Sequence, residues 1–448
     1  MTGPDPVRSL AKAVEGAGAG VSRAGLIGLS LGVVAAGAAA GVAIERLTVG
    51  RAPRRRAREE LAAAAPFGSL RGRSRTVAAD DGTALYVEVD GPQPSSAPAG
   101  PGQHGWFARR PGPAPAPGGA PPAPVDRSRL RPLLTDRAAL RPLGFNPVGS
   151  GGEPLTVVFC HGYCLNQDSF HFPRAALRGA LRLVFWDQRS HGRSERSRSY
   201  LAGRPASIDQ LGGDLAAVLA AVAPSGPIVL VGHSMGGMTV MALAEQHPEL
   251  FRERVAGVAL IGTTAGDWDS VTFGLPPVGM KLWRRVGPGV VKLLGSQVGL
   301  VEATRRLGAD FASVFYRRFS FGGKDVDPAV ARFAEQLLDS TPIDVVAEFY
   351  PAFAAHEKTA ALAALSDLPV LVLAGTEDLL TPAAHSEAIA RALPDAELVL
   401  VPDAGHLVLL ERPDEVNRRL AALLCRAAER SGAGPLPQAV RDLAAGPA

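Results

Sequence analysis

Ile228-Val-Leu-Val-Gly-His-Ser-Met-Gly-Gly237 is the stretch on which the rest of the chain turns. Four apolar, mostly β-branched residues run into Gly232-His-Ser-Met-Gly236, and a helix-compatible run follows from Met238 to His247. Strand, tight turn and helix in that order are the context that lifts a G-x-S-x-G match above chance. The turn is too sharp for bulky neighbours, so glycines flank Ser234, and the strained backbone raises the serine hydroxyl above the sheet edge. Alone, the pentapeptide is weak evidence, because Gly- and Ser-rich proteins produce it by accident. A base and an acid at suitable places downstream would make it strong.

Working outward, strand-like apolar runs recur at Leu155–Cys160, Leu181–Trp186, Ile228–Gly232, Val255–Gly262, Pro369–Ala374 and Glu397–Val401. Most are nearly continuous in hydrophobicity, as in parallel strands covered on both faces. Two shorter alternating runs within Thr76–Asp90, separated by Asp81-Gly82, carry a hairpin signature. Ser207-Ile-Asp-Gln210 reads as a capping box that opens a helix ended by Pro224. Strands and helices that alternate in this way predict an α/β fold with a mostly parallel central sheet flanked by helices. The folded core is expected over 75–266 and 367–430. Its last helix should run from Asp414 to about Ala428, with a flexible Gly/Pro-rich tail at 431–448.

Two stretches interrupt the alternation. Residues 91–152 include a run of nothing but Pro, Gly and Ala at Pro111–Pro124, which cannot sustain helix or sheet and reads as a flexible insertion. Residues 267–366, after the sixth strand, read helical and hold 12 of the 25 aromatics. That enrichment predicts a helical cap that packs its own apolar layer and contributes to an apolar substrate pocket.

The 448 residues, 46% of them apolar, suffice for a packed core and exclude a wholly disordered chain. Cys160, Cys164 and Cys425 cannot build a disulfide scaffold, and the absence of any C-x-x-C pair argues against a structural metal site. The net charge of +4 is uneven: residues 1–75 hold 12 Lys/Arg against 5 Asp/Glu, a balance of +7 that leaves about −3 for the remainder. A main domain without excess basic charge does not point to nucleic acid. The basic arm, residues 1–60, contains 21 uncharged residues from Ala24 to Ile44. As a helix they would span roughly 30 Å, one hydrocarbon core. Arg46, Arg51, Arg54, Arg55, Arg56 and Arg58 follow it, so the positive-inside rule predicts a single-pass anchor at the cell membrane with the large domain cytoplasmic. A cytoplasmic chain is the alternative, and a cleaved signal peptide would carry its basic cluster on the other side of the apolar run.

A serine nucleophile needs a base, and the base needs an acid to orient it. Val370–Asp378 is a strand running into a loop that ends in Asp378, and Leu398–His406 is another that ends in His406. Both candidates leave the carboxyl ends of strands, the edge at which Ser234 also sits and at which open α/β sheets bind ligands. Glu377 and Asp403 are weaker candidates for the acid, the first because adjacent loop residues point different ways, the second because it lies too near His406 in sequence. An oxyanion hole would take one backbone N–H from Met235, after the nucleophile, and one from Tyr163, in the loop after the first core strand.

His161-Gly162, Asp187-Gln-Arg-Ser-His-Gly-Arg-Ser194, Gly232–Gly237, Gly375-Thr-Glu-Asp378 and Gly405-His406, in this order, resemble the α/β-hydrolase superfamily. The likeness is to its small serine esterases and haloperoxidase-like members, and it spans residues 76–90 and 155–428. It implies a Ser234, Asp378, His406 triad with Tyr163 and Met235 as oxyanion donors. In the loop of Asp187, Ser190 stands where the family has glycine, and the family uses that segment structurally, so Arg189 and His191 stay outside the catalytic set. The function this implies is a serine hydrolase of carboxylic esters of lipophilic small molecules, with no metal or organic cofactor required. Thioester hydrolysis, iminopeptidase activity and perhydrolysis share the machinery, and a non-catalytic, membrane-tethered binding protein is the alternative from another class. An aspartate nucleophile, as in epoxide hydrolases and haloalkane dehalogenases of this fold, is disfavoured by Ser234.

Overall fold

A computed structural model describes residues 67–91, 153–271, 277–296, 318–323 and 325–446. The candidate span at 24–44 and, but for Gly91, the insertion at 91–152 lie outside them. Among the described residues no helix is long and apolar enough to cross a membrane.

Eight strands form one sheet: β1 (Arg73–Ala78), β2 (Ala84–Asp90), β3 (Thr156–Cys160), β4 (Arg182–Trp186), β5 (Ile228–His233), β6 (Val255–Ile261), β7 (Val370–Gly375) and β8 (Glu397–Val401). Their spatial order is β1-β2-β4-β3-β5-β6-β7-β8. β1 and β2 form an antiparallel hairpin that joins β4 antiparallel, and all other pairs are parallel. The turn over Asp81-Gly82 closes as expected, with Ala79 N–H donating to Thr83 O at 2.9 Å. The central strands are buried along their whole length, which is why their sequences lack alternation. Successive side chains still take opposite faces: Val157 and Phe159 enter one apolar layer, Val158 and Cys160 the other. Phe159, Phe170 and Phe185 are fully buried in the first layer, and removing such a ring from water contributes roughly 2–3 kcal/mol.

The helices that matter for the site are α1 (Ile208–Val222), α2 (Met235–Gln246), α3 (Pro277–Ser296), α4 (Pro328–Asp339), α5 (Ile343–Ala354), α6 (Pro413–Ser431) and α7 (Gln438–Ala445). Ser207 caps α1 as its sequence predicts, its side chain accepting from Gln210 N–H at 3.1 Å. α1 and α2 cover one face of the sheet through Leu215, Val218 and Met241, and α6 covers the other through Val416, Leu420 and Leu424. Helices α3, α4 and α5 lie in the expected cap region after β6.

The structure differs from the sequence reading at both ends of the core. Order begins before Arg75: the Phe67 ring packs against His171, Phe172 and Phe333 at 5.2–5.5 Å between centroids. The tail read as flexible carries α7, because Val440 on the helix and Leu436 just ahead of it bury against the layer that α6 completes. The last core helix also runs on from Ala428 to Ser431, where Gly432 in a left-handed conformation ends it.

The turn between β5 and α2 is the tightest packed point of the fold. A Cβ added to Gly236 would lie 1.9 Å from the Cys160 carbonyl oxygen and 2.4 Å from its carbon. That atom is sheet backbone and cannot step aside. Gly236→Ala is therefore expected to lower the unfolding free energy by about 3 kcal/mol or more, read as a drop in urea midpoint at unchanged m-value.

Candidate active site

β3 and β5 are neighbours whose connections leave in opposite directions, the first towards β4 and the second towards β6, so a crevice opens beyond their carboxyl ends. Cys160 pairs in register with Gly232. The loop after β3 and the turn after β5 therefore meet: a Cβ at Gly162 would sit 3.1 Å from the Cβ of Ser234. Ser234 has φ +52° and ψ −120°, a conformation a side-chain-bearing residue adopts only under constraint. Two bonds hold it there. Ser234 N–H donates to Ile261 O at 2.9 Å, and Thr263 Oγ1 donates to Ser234 O at 2.8 Å.

The three sequence-predicted side chains come together. Ser234 Oγ lies 2.9 Å from His406 Nε2, and Asp378 Oδ2 lies 2.8 Å from His406 Nδ1. A carboxylate only accepts, so the imidazole proton belongs on Nδ1 and Nε2 is left to accept from the serine hydroxyl. Asp378 is itself held by Leu380 N–H and Thr381 N–H on Oδ1, at 2.8 and 2.9 Å, and by Thr381 Oγ1 on Oδ2 at 2.9 Å. Ser234, Asp378 and His406 are all buried. Glu377 and Asp403 make no bond to His406; Glu377 is exposed and Asp403 N–H donates to Thr376 Oγ1.

The Gly162–Tyr163 peptide is also pinned. Gly162 O accepts from His161 Nδ1–H at 2.8 Å and from Leu165 N–H at 3.2 Å. Carbonyl and amide point opposite ways across a trans peptide, so fixing that oxygen fixes the direction of Tyr163 N–H. His161 Nε2 accepts from Gln188 N–H at 2.9 Å, which sets the tautomer, and Gln188 Oε1 accepts from Thr239 Oγ1 on α2 at 2.8 Å. The loop of Tyr163 is thus tied to the helix that begins with Met235. The Tyr163 side chain serves the cap instead: its hydroxyl donates to Val346 O at 2.5 Å and its ring meets Phe353 at 5.0 Å.

Met235, Met238, Val345, Phe349 and Phe353 form one apolar cluster, with Tyr163 and Trp268 packed against it, between the turn of Ser234 and α5. Part of the aromatic enrichment accordingly lies over the site. Phe321 and Phe333 instead join the main core, and Phe273, Phe311, Phe315 and Tyr316 lie outside the described residues. Ser190 takes φ +66°, as its glycine counterpart would, and its hydroxyl has a partner: it donates to Glu348 Oε1 of α5 at 2.9 Å. Arg196 joins the same seam by pairing with Glu348 at 3.0 Å and with Asp344. Arg189 is fully buried against Asp214 and Asp81, and His191 packs on Phe349, so neither reaches the triad.

Glu411 escaped the sequence reading. Its buried carboxylate accepts from Gly405 N–H at 2.7 Å, Gly323 N–H at 2.6 Å and Gly322 N–H at 3.2 Å. It stitches the loop that presents His406 to the segment returning from the cap. No spacing rule announces such a role. Gln188 was equally silent, sitting inside a loop that looked structural throughout.

Burial lowers the pKa of His161 and His233 to about 3 and that of His191 to about 4, so all three are neutral at neutral pH. His233 Nε2–H donates to the His406 carbonyl at 2.9 Å, while its Nδ1 is buried without a hydrogen-bond partner among the described residues. Its folded pKa lies below the unfolded value near 6.5, so the stability it contributes is present above pH 6.5 and is lost as pH falls toward 3. Wild type should therefore lose roughly 2 kcal/mol more than His233→Gln between pH 7.5 and 5. Paired urea titrations at the two pH values check this.

Among known proteins, the chain is 27% identical over 302 residues to the sn-1-specific diacylglycerol lipase ABHD11 of Mus musculus, covering 67% of this chain and 88% of that one. It is 30% identical over 272 residues to the dihydrolipoyllysine-residue acetyltransferase component of the acetoin cleaving system of Cupriavidus necator. That match covers 60% of this chain and 63% of the relative, so the chain spans less than two thirds of that protein's length. A thermophilic esterase from Thermogutta terrifontis superposes with a TM-score of 0.52 at 22% identity, over 80% of this chain and 99% of the other, a likeness of fold. The family model for the alpha/beta hydrolase fold matches residues 156–413, and with that match across most of the sheet and all three meeting side chains the chain belongs to the α/β-hydrolase superfamily.

Proposed function

We propose that this protein is a serine hydrolase that cleaves carboxylic esters of lipophilic small molecules through an acyl-enzyme. The observation that carries the reading is the unbroken chain from Ser234 Oγ to His406 Nε2 at 2.9 Å and from His406 Nδ1 to Asp378 Oδ2 at 2.8 Å. In this reading Ser234 Oγ attacks the acyl carbon while His406 Nε2 takes its proton. The carbonyl oxygen becomes an oxyanion, met by the N–H groups of Tyr163 and Met235. His406 then protonates the leaving alcohol, a water attacks the ester to Ser234 with His406 again as base, and the acid departs. Asp378 keeps the imidazole in the tautomer that can accept.

The preference for lipophilic acyl groups is supported by the apolar cluster of Met235, Met238, Phe349 and Phe353, which starts at the residue after Ser234, and by the likeness to a diacylglycerol lipase. Thioesters and activated amides could use the same groups, and the fold alone does not choose among them. Activity on p-nitrophenyl esters of graded chain length tests the proposal: turnover should rise from acetyl to medium chains. A preference for charged or peptide substrates would sink it. The anchor at 24–44 is part of the same proposal, and fractionation with and without residues 1–60 checks it.

A further inference from the structure

Helix α3 presents an apolar stripe to solvent. Val278, Leu282 and Val286 recur at i, i+4 and i+8 and are 82%, 61% and 37% exposed. They are three of the five large hydrophobic residues exposed among the described residues. The inward face of α3 is occupied separately: Met280 is buried, and Trp283 Nε1 donates to Tyr350 Oη of α5 at 3.1 Å. The outward stripe is therefore not the cap's own packing surface.

Charge says what would cover it. Residues 277–296 hold Lys281, Arg284, Arg285 and Lys292 and not one Asp or Glu. On a helical projection Lys281 and Arg285 flank the stripe on one side, four residues apart and both exposed. A soluble partner with an apolar groove would not require two exposed cations, Lys281 and Arg285, along the edge of the stripe. A surface that is apolar inside and anionic outside would, because the side chains can sink while the ammonium and guanidinium groups stay at the head groups.

We propose that α3 docks the cap on an anionic lipid surface, with Val278, Leu282 and Val286 inserted and Lys281 and Arg285 at the phosphates. This contact is distinct from the candidate span at 24–44 and needs no residue of the triad. It would bring the cap to the phase in which lipophilic esters reside, since α3 rests on α5, and α5 carries Phe349 and Phe353 into the apolar cluster that includes Met235, the residue after Ser234.

Hydrogen–deuterium exchange of the full chain, with and without vesicles, reads α3 apart from the arm and needs no turnover, so the result does not depend on which ester is cleaved. On vesicles of phosphatidylcholine mixed with phosphatidylglycerol, exchange over 277–289 should slow about fivefold or more, and Val278→Asp/Leu282→Asp should abolish the slowing. Lys281→Glu/Arg285→Glu should weaken it about tenfold in the vesicle concentration required. Both pairs are surface changes, and an unaltered thermal midpoint confirms that each folds. Unchanged exchange over 277–289 on anionic vesicles overturns the proposal. Equal slowing on pure phosphatidylcholine overturns the anionic assignment, and slowing that follows protein concentration without vesicles overturns it in favour of a second copy of the chain.

Discussion

Ser234→Ala should lower kcat on p-nitrophenyl esters by about 10⁴-fold or more and abolish fluorophosphonate labelling, while the fold survives. The size follows from what is removed. In the proposed mechanism Ser234 Oγ bonds the acyl carbon, and without it His406 can at best activate water in a site shaped for an alkoxide. The residual rate would come from oxyanion stabilisation and binding alone. Stability should change little, because among the described residues the hydroxyl makes one hydrogen bond, to His406, worth about 1 kcal/mol net. The backbone at φ +52° is held by Ile261 and Thr263 and keeps its geometry in the variant. A folded Ser234→Ala protein that still labels, or retains more than a tenth of wild-type turnover, would remove the serine from the mechanism.

The candidate site was legible because the information is local and repeated. Each of Ser234, Asp378 and His406 follows a strand whose apolar run marks it, so the sheet topology alone carries all three to one edge. The positioning groups were not legible, because they work across long separations. Gln188 meets Thr239 from a different element, Ser190 meets Glu348 across 158 residues, and Glu411 meets Gly323 across 88. Only the folded chain brings such pairs together, and none has a spacing that differs from chance. The tail misled for the opposite reason. Gly432, Gly434, Pro435 and Pro437 speak against regular structure locally, yet the burial of Leu436 and Val440 outweighs them. The departure at Ser190 had a signal without a meaning: the missing glycine was visible, and its purpose as a tie to the cap was not.

Asp378→Asn should cost nearly as much as losing the nucleophile, about 10⁴-fold in kcat, although it changes one atom and almost no volume. The hydrogen bonds around the carboxylate decide which way the amide must turn. Oδ1 accepts two backbone N–H groups, from Leu380 and Thr381, and an amide nitrogen in that place would face two donors with a third. The asparagine oxygen therefore takes the Oδ1 position and the NH₂ takes that of Oδ2, 2.8 Å from His406 Nδ1. An NH₂ group donates, so Nδ1 must become the acceptor and the imidazole proton moves to Nε2. His406 then donates to Ser234 Oγ where it should accept, and the base is lost with every distance preserved. Thr381→Val separates this tautomer effect from packing. It deletes the hydroxyl that donates to Oδ2 but leaves an acceptor facing Nδ1, so kcat should fall only about tenfold or less. Losses of about tenfold or less in both variants would mean that Asp378 acts by filling space. A large loss in Asp378→Asn alone, with KM and unfolding midpoint near wild type, would mean that it acts by choosing the proton's side of the ring.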